Sequence, residues 1–460
     1  MRPGSGSLAS SLFDAPGRPQ ALRAFLLFAL VLGLQIPTLF MHVLVSERRS
    51  RHNEAATEIA SKWGKRQTIT GPALVVPWTR RWREADDKGH ARDLTEERRL
   101  VLLPESLDVD AQLWSEVRKR GIYPVPVYRL QADLRGRFAP PDFAKLGIVP
   151  ADVDWKRAVL AVGIADARAI QKQAMLDWNG RAIEFLPGNA DAPELGGGIH
   201  AELDLKEAPW AQPFTVPLRL NGSDGAYFTP FGKQTRVRLS GDWRNPSFQG
   251  AWLPTERSVT DAAFTATWSI PSLGRNYPQA WTEAGELNKA ISASAFGLDL
   301  GSDFGAYPLC ERTLKYALLF FVLTFTAFWL LEVLGGRPLH PIHYLLIGAT
   351  LSLFLVLELA LSEHIGFGAS YAIASAAVVG LIVHYASAVL GSCVRAAGVG
   401  LGLALLYGFH YVVLRNEDYA LLLGSLLLFA TLAAVMALTR RVNWYRSTPD
   451  GAPPAAPDAR

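Results

Sequence analysis

The sequence predicts an integral membrane protein with six α-helical spans and a large β-rich, sandwich-like external domain inserted between spans one and two. One hydrophobic segment lies near the N-terminus, and five more follow one another near the C-terminus. Each is long enough to cross the hydrocarbon core of a bilayer, ~30 Å thick, which needs roughly 20 apolar residues in a helix. The intervening stretch of about 270 residues is charged and rich in tryptophan, which predicts a domain in water.

This pattern divides the chain into five parts. They are a cytoplasmic tail (1–23), a transmembrane signal anchor (24–45), a periplasmic β-rich domain (46–316), a five-span transmembrane bundle (317–438) and a second cytoplasmic tail (439–460). The later spans are expected near 317–334, 344–361, 365–385, 396–414 and 419–438. We expect the first span to stay uncleaved, because its 22 uncharged residues exceed a signal-peptide core and no small-x-small site follows.

The placement of arginine predicts the orientation in the membrane, because short cytoplasmic flanks carry an excess of Arg and Lys. Three arginines precede the first span and three closely follow the last, whereas the turns at 362–364 and 415–418 are acidic or mixed. Arg48, Arg49 and Arg51 oppose this orientation, but a long domain translocates largely regardless of such charges. We therefore expect both termini in the cytoplasm and the large domain outside, in the periplasm if the source is a diderm bacterium.

Alternation of apolar and polar residues with period two predicts strands in the external domain, at 122–134, 199–205, 214–220, 235–241 and 263–270. The cluster 221–225, Asn-Gly-Ser-Asp-Gly, predicts a tight connection. Strands at this spacing, joined by Gly, Pro, Asn and Asp, are typical of an antiparallel sandwich. Two stretches, 53–64 and 141–146, are expected to be helical.

Tryptophan and cysteine usage refine this view of the domain. Eleven of the thirteen tryptophans lie in it. Their indole rings could stack on a glycan, but tryptophans scattered along the sequence favour core anchors, each burying up to ~250 Å². Cys310 and Cys393 are expected on opposite sides of the membrane, and a disulfide needs Cα atoms within ~7 Å, so we expect the domain to fold without one.

Ionisable residues inside a membrane are functional candidates, so their depth decides their interpretation. Glu358, Glu363, His364 and His410 are predicted near the external ends of their spans and form our candidate functional cluster. One hypothesis is that they share a proton or ion that couples the domain to the bundle, with histidine titrating near neutral pH. The alternative, which we favour, is that they snorkel or cap helix ends.

The sequence gives little support for a metal site, an enzyme active site or nucleic-acid binding. His340 and His343 lack a third ligand, so interfacial anchoring is preferred to a metal site. No nucleophile elbow, zinc-protease motif or phosphate loop occurs, and no run of like charges indicates nucleic-acid binding. We therefore predict no catalytic, cofactor-binding or metal-binding residues and no cofactor.

Several stretches resemble the CreD inner-membrane proteins of bacterial envelope-stress regulons. The most specific is 240–254, Ser-Gly-Asp-Trp-Arg-Asn-Pro-Ser-Phe-Gln-Gly-Ala-Trp-Leu-Pro, continued by 264–268 and by 276–281, Asn-Tyr-Pro-Gln-Ala-Trp. Further stretches similar to the family are 71–77, 166–170, 315–320, 332–334, 340–344 and 361–366. The resemblance implies a role in cell-envelope integrity under a two-component regulator, with altered tolerance to colicins and β-lactams. It implies no reaction and no catalytic residue.

The leading hypothesis is therefore a non-enzymatic inner-membrane protein that supports envelope integrity and stress tolerance. Its periplasmic domain would contact an envelope protein or glycan, and its spans the lipid bilayer. The main alternative is a transporter or channel-like component with the domain as receptor or gate. Against this, the five later spans carry no acid, base or helix break near the midplane. A second alternative is an enzyme acting on envelope lipid or peptidoglycan.

Overall fold

The computed structural model describes residues 18–85, 91–283, 285–301, 306–335, 339–416 and 418–440. The chain divides into two compact units, one of Met1–Arg51 with Gly305–Arg460 and one of His52–Phe304. Within the described residues, six helices have the length and composition of a membrane span, one N-terminal and five C-terminal, and strands fill the chain between the first and the second. The predicted fold class is confirmed.

The helices of the described ranges are α1 (Arg18–Gly33), α2 (Gln35–Trp63), α3 (Phe143–Leu146), α4 (Leu287–Ala293), α5 (Tyr307–Gly335), α6 (Pro341–Ile365), α7 (Phe367–Leu390), α8 (Cys393–Arg415) and α9 (Ala420–Thr439). The helix expected over 53–64 is the end of the long α2. All five later spans end beyond their predicted hydrophobic stretches, and α5, α6 and α8 also begin before them, because a helix continues into its polar ends; α7 and α9 begin two residues and one residue inside. Helix α5, for example, starts ten residues before the predicted 317.

The first span is interrupted at Leu34, between α1 and α2. Pro37 lies in the first turn of α2, where its missing N–H is tolerated, but it cannot bond to a carbonyl of the preceding turn. Side chains bond to carbonyls at the break instead: Gln35 Nε2 donates to Val31 O at 3.3 Å, and Thr38 Oγ1 donates to Leu34 O at 3.0 Å. Side-chain hydrogen bonds of this kind help to satisfy the carbonyls around a proline break inside a membrane.

The strands of the β domain are β1 (Gln67–Ala85), β2 (Ala91–Leu102), β3 (Ser106–Arg120), β4 (Tyr123–Arg137), β5 (Val159–Ile164), β6 (Met175–Trp178), β7 (Arg181–Glu184), β8 (Leu186–Pro187), β9 (Gly198–Glu202), β10 (Pro213–Ser223), β11 (Gly225–Phe228), β12 (Gln234–Gly241), β13 (Pro246–Gly250), β14 (Glu256–Val259), β15 (Phe264–Pro271), β16 (Ala280–Trp281) and β17 (Phe296–Leu300). Every stretch predicted to be a strand overlaps one of these. The predicted tight connection is the step from β10 to β11 through Asp224, whose φ is 63°.

The strands form two sheets that share one hydrophobic core. Sheet A has the order β13-β17-β11-β1-β5-β9-β8, with β2 paired to β1 and β16 paired to β2. Sheet B has the order β14-β15-β12-β3-β4-β10-β6-β7. Alternation along each strand supplies the core: in β3, Leu107, Val109 and Ala111 are buried, while the residues between them are exposed. The arrangement is a sandwich.

The expectation of a purely antiparallel sandwich is wrong. Strand β1 runs parallel to β11, and β3 runs parallel to β12, while the other paired strands are antiparallel within the described ranges. The reason lies in the connections, because the chain passes repeatedly from one sheet to the other, for example between β2 and β3 and between β11 and β12. Period-two alternation reveals which face of a strand is buried, but not the direction of its neighbour.

The tryptophans of this domain divide between core and surface. Five are at least nine-tenths buried, namely Trp78, Trp178, Trp243, Trp268 and Trp281. The other six are half-buried or exposed, and Trp114 is 42% exposed. About half of the tryptophans in this domain are therefore anchors of its hydrophobic core. Both cysteines are free; Cys310 is buried inside α5 and Cys393 is exposed at the start of α8.

Candidate functional sites

The bundle contains a buried carboxyl group on α6. Glu358 is 1% exposed, and Thr313 of α5 donates a hydrogen bond from Oγ1 to Glu358 Oε1 at 2.8 Å. One turn further along α6, Ser362 is also buried, and its Oγ lies 3.7 Å from Cys310 Sγ. Helices α5 and α6 therefore meet along a polar line inside an apolar bundle.

His410 of α8 is also buried, at 3% exposed, and packs on Phe320 with 4.2 Å between ring centroids. Tyr371 of α7 places its Oη 2.9 Å from the carbonyl oxygen of Tyr407 and 3.0 Å from His410 Nδ1. A carbonyl oxygen only accepts, so the hydroxyl of Tyr371 donates to it, and His410 Nδ1–H donates to Tyr371. In the neutral imidazole this assigns Nε2 as a hydrogen-bond acceptor.

Thr313 and His410 line the same small cavity, which offers about 10 Å³ to the centre of a water molecule. The rest of its wall is aromatic or aliphatic except for Tyr407. Among the residues that the structure describes, neither His410 Nε2 nor Tyr407 Oη has a hydrogen-bonding partner, although both atoms are buried. The cavity is therefore a small apolar chamber bordered by polar side chains from three residues.

Of the predicted cluster, His410 lines this chamber, Glu358 is hydrogen-bonded to Thr313 in its wall, and the other two members lie elsewhere. Glu363 accepts a hydrogen bond from Tyr307 Oη at 3.0 Å and lies 3.8 Å from Arg48 Nη1, and His364 is exposed. At about 100° per helical residue, these two side chains point roughly 140° and 240° away from Glu358 around α6. The chamber wall instead includes Thr313 and Tyr407, and Tyr371 is hydrogen-bonded to His410 without lining the chamber. Sequence reasoning missed these residues because hydroxyl-bearing residues do not stand out in an apolar span.

The histidines at the start of α6 are used locally. His340 Nδ1 accepts from the Ile342 N–H at 3.4 Å and caps the helix, and His343 Nδ1 lies 2.6 Å from Tyr385 Oη. Across the described parts of the chain, no three His, Cys, Asp or Glu side chains are grouped so that they could hold a metal ion.

The β domain carries a polar groove on the outer face of sheet A. It is formed across four neighbouring strands, β2, β1, β5 and β9, and has a volume of about 730 Å³. Pro77 of β1 is paired with Arg99 of β2, and Val159 of β5 is paired with Glu202 of β9. The groove therefore has a cation on the strand at one side, β2, and an acid on the strand at the other side, β9. Strands β2 and β9 are three strand spacings apart, which is roughly 14 Å. We call this feature the sheet A groove, lined by Val75, Pro77, Glu97, Arg98, Arg99, Lys156, Arg157, Ala158, Val159, Ala190, Asp191, His200, Glu202 and Asp204.

Some of the charges in the sheet A groove are neutralised and others are not. Arg157 bonds to both oxygens of Glu97, at 3.0 and 2.9 Å, and these hydrogen bonds hold the pKa of that carboxyl below its usual range. Within the described residues, Arg99 and Lys156 form no ion pair, and Arg99 Nη1 is buried without a hydrogen-bonding partner. Among the described residues, the groove lining thus includes two cations without an ion pair, Arg99 and Lys156, together with three acids that also form none, Asp191, Glu202 and Asp204. Sequence reasoning missed this groove because its lining residues are spread along the chain from Val75 to Asp204.

The stretch 275–281 is a structural clamp. Arg275 is 9% exposed and donates from Nη1 to the carbonyls of Pro230 and Phe231, each at 2.8 Å. Gln279 donates to the carbonyls of Leu103 and Pro104 at 3.0 and 2.6 Å. These carbonyls belong to the two connections, β11 to β12 and β2 to β3, that carry the chain from sheet A to sheet B.

The last residue of the clamp, Trp281, makes a further contact. The buried Trp281 Nε1 donates to Glu194 Oε1 at 3.0 Å. The clamp therefore gives a structural role to 276–281, one of the stretches that resemble a known family, because its side chains hold the connections between the two sheets.

Comparison with known proteins agrees with this geometry. A family model described as "Inner membrane protein CreD" matches residues 19–445. Inner membrane protein CreD of Escherichia coli (strain K12) is 32% identical over 429 residues, which cover 91% of this chain and 92% of that protein. A match over nearly the whole length includes the spans, the β domain and the clamp. The chain therefore belongs to the CreD family of multi-pass inner membrane proteins.

Proposed function

We propose that this protein supports cell-envelope integrity and stress tolerance without catalysing a reaction, and that its β domain contacts an envelope component or a partner protein. In this proposal both termini lie in the cytoplasm and the β domain lies on the opposite side of the membrane. The arginines that flank the first and last spans support that orientation. The spans hold the domain at the membrane, where an envelope partner is within reach.

The observation that carries the proposal is the sheet A groove. Its volume of about 730 Å³ is within the range of roughly 300–1,000 Å³ that is usual for ligand sites. A buried guanidinium nitrogen without a partner is costly, because it has lost water without gaining a hydrogen bond. Arg99 carries such a nitrogen and, among the residues that the structure describes, lines the groove without an ion pair, so an anionic group of a partner bound there would neutralise its charge.

The floor of the groove is rigid. It is made by paired strands whose other face lies in the core, where Leu74, Val76 and Leu160 are fully buried. A preformed surface of this kind binds without paying much ordering entropy. It suits recognition of a partner, and a glycan with attached carboxylates or an acidic protein segment has the anionic groups that Arg99 and Lys156 would bind.

Charge reversal in the groove tests the proposal. A strain that lacks the protein is complemented with wild type, Arg99→Glu, Lys156→Glu or Lys119→Glu, at matched membrane levels, and survival under envelope stress is measured. Lys156 is an exposed groove residue, and Lys119 is an exposed residue of β3 outside the groove. We expect loss of tolerance with the two groove variants and full tolerance with Lys119→Glu. Equal tolerance with all three variants would contradict the proposal.

A further inference from the structure

The chamber in the bundle presents three polar groups that one water molecule can satisfy together. His410 Nε2 is an acceptor, because Nδ1 carries the hydrogen that bonds to Tyr371. Tyr407 Oη carries a hydrogen to donate, and Thr313 Oγ1 can accept while donating to Glu358. A water molecule has two hydrogens and two lone pairs, so it can donate to His410 and Thr313 and accept from Tyr407.

The volume and the energetics both fit one water. About 10 Å³ open to the centre of a water molecule is close to the minimum for a single occupant. Buried waters typically make about three hydrogen bonds to groups that would otherwise have none. Leaving His410 Nε2 and Tyr407 Oη unsatisfied in the membrane interior is unfavourable, because each would then have lost water without gaining a hydrogen bond. Occupation of the chamber is therefore favoured.

We infer that a water molecule in this chamber joins His410 to the Thr313–Glu358 pair, so that the bundle contains one shared protonation site built from three helices. The inference goes beyond the proposed function of the β domain and does not depend on it.

The hydrogen bonds give the path of the proton. With the proton on Glu358, its O–H donates to Thr313 Oγ1, and the Thr313 hydroxyl turns from Leu309 O, 3.1 Å away, to donate to the water, which donates to His410 Nε2. When Glu358 gives up this proton to Thr313, the hydrogen of Thr313 passes to the water and a hydrogen of the water passes to His410 Nε2, so that Thr313 then donates to the carboxylate of Glu358. The result is a carboxylate and an imidazolium with no net change in charge. Thr313 is hydrogen-bonded in both states.

The other groups around the site are accounted for helix by helix. Tyr316 of α5 meets the His410 ring edge-on, with 6.0 Å between centroids, and Cys310 of the same helix contacts Ser362. Arg312, also on α5, donates to the carbonyl of Leu414, one turn beyond His410. Tyr371 comes from α7 and Tyr407 from α8 itself. Glu358 and His410 are thus the acid and the base of the chamber.

Infrared spectroscopy of the full-length protein in lipid nanodiscs tests the shared site. The C=O band of protonated Glu358 is identified as the band that Glu358→Gln removes, between about pH 5 and pH 9. We expect His410→Gln to shift this band to higher frequency, because the hydrogen-bonded chain is broken. Ala317→Val should shift it too, because Ala317 lines the chamber and a larger side chain displaces the water.

His364→Gln is the matched control, because this exposed histidine lies six residues from Glu358 outside the chamber. It should leave the band where it is in wild type. Unchanged elution and an unchanged circular-dichroism melt of the helices show that the bundle is folded. Ala317→Cys, which is smaller than valine but larger than alanine, replaces Ala317→Val if the valine variant does not fold. The inference is overturned if His410→Gln and the Ala317 variant leave the band as unshifted as His364→Gln does. It is also overturned if Glu358→Gln removes no band at any pH.

Discussion

Replacing a core tryptophan and a surface tryptophan of the β domain should have very different consequences. Trp268 is fully buried, donates from Nε1 to the carbonyl of Trp252 at 3.1 Å, and packs on Phe248 and Phe296 with 5.9 and 5.5 Å between ring centroids. Burial of 150–250 Å² at about 25 cal/mol per Å² gives roughly 4–6 kcal/mol as an upper bound. We therefore expect Trp268→Ala to lower the free energy of unfolding by about 3–5 kcal/mol.

The assay is the fluorescence melt of the full-length protein, which reports on this domain because eleven of thirteen tryptophans lie within 46–316. For a domain of this size, the expected loss lowers Tm by roughly 6–20 °C. Trp268→Phe should lower it less, since it keeps most of the ring contacts and loses one hydrogen bond. Trp114→Ala, at a site 42% exposed, should change Tm little. Equal shifts for Trp268→Ala and Trp114→Ala would refute the division into core and surface tryptophans.

Three further outcomes are expected. Arg275→Leu should lower the stability measured by the same melt by about 2–6 kcal/mol, since two buried carbonyls lose their donor; no change would refute the clamp. Hydrogen bonding to Arg168 lowers the pKa of Asp166, so that carboxylate stabilises the fold above about pH 4. The Tm gap between wild type and Asp166→Asn should therefore shrink as pH falls below that value, and a gap that widens would contradict the reasoning. A periplasm-dependent reporter should be active at the exposed Gly180 and inactive at Gly451, and the reverse result would invert the proposed topology.

The fold class followed from the sequence because hydropathy and period-two alternation are local signals. The bounds of β10 and β12 lie within three residues of the predicted strands for that reason. The partners of β1 and β3 could not be predicted in the same way. Their parallel neighbours depend on where the chain crosses between sheets, which is a property of tertiary packing.

The candidate cluster was only partly accessible from the sequence. Ionisable type and depth single out Glu358 and His410, and both are buried in the bundle. Helical phase sets Glu363 apart from them, and the tyrosine that orients His410 comes from another helix. The sheet A groove was invisible to sequence reasoning because none of its residues is unusual alone. It is the register of neighbouring strands that brings Arg99 and Glu202 onto one face.

Site-specific photo-crosslinking in intact cells tests the central claim most directly. A photoreactive amino acid replaces Lys156 in the sheet A groove or, as the control, Lys119 outside it. We predict a discrete crosslinked product from position 156 that Arg99→Glu abolishes, and no such product from position 119. If position 156 gives no product, or the same product as position 119, the groove is not where this protein meets the cell envelope.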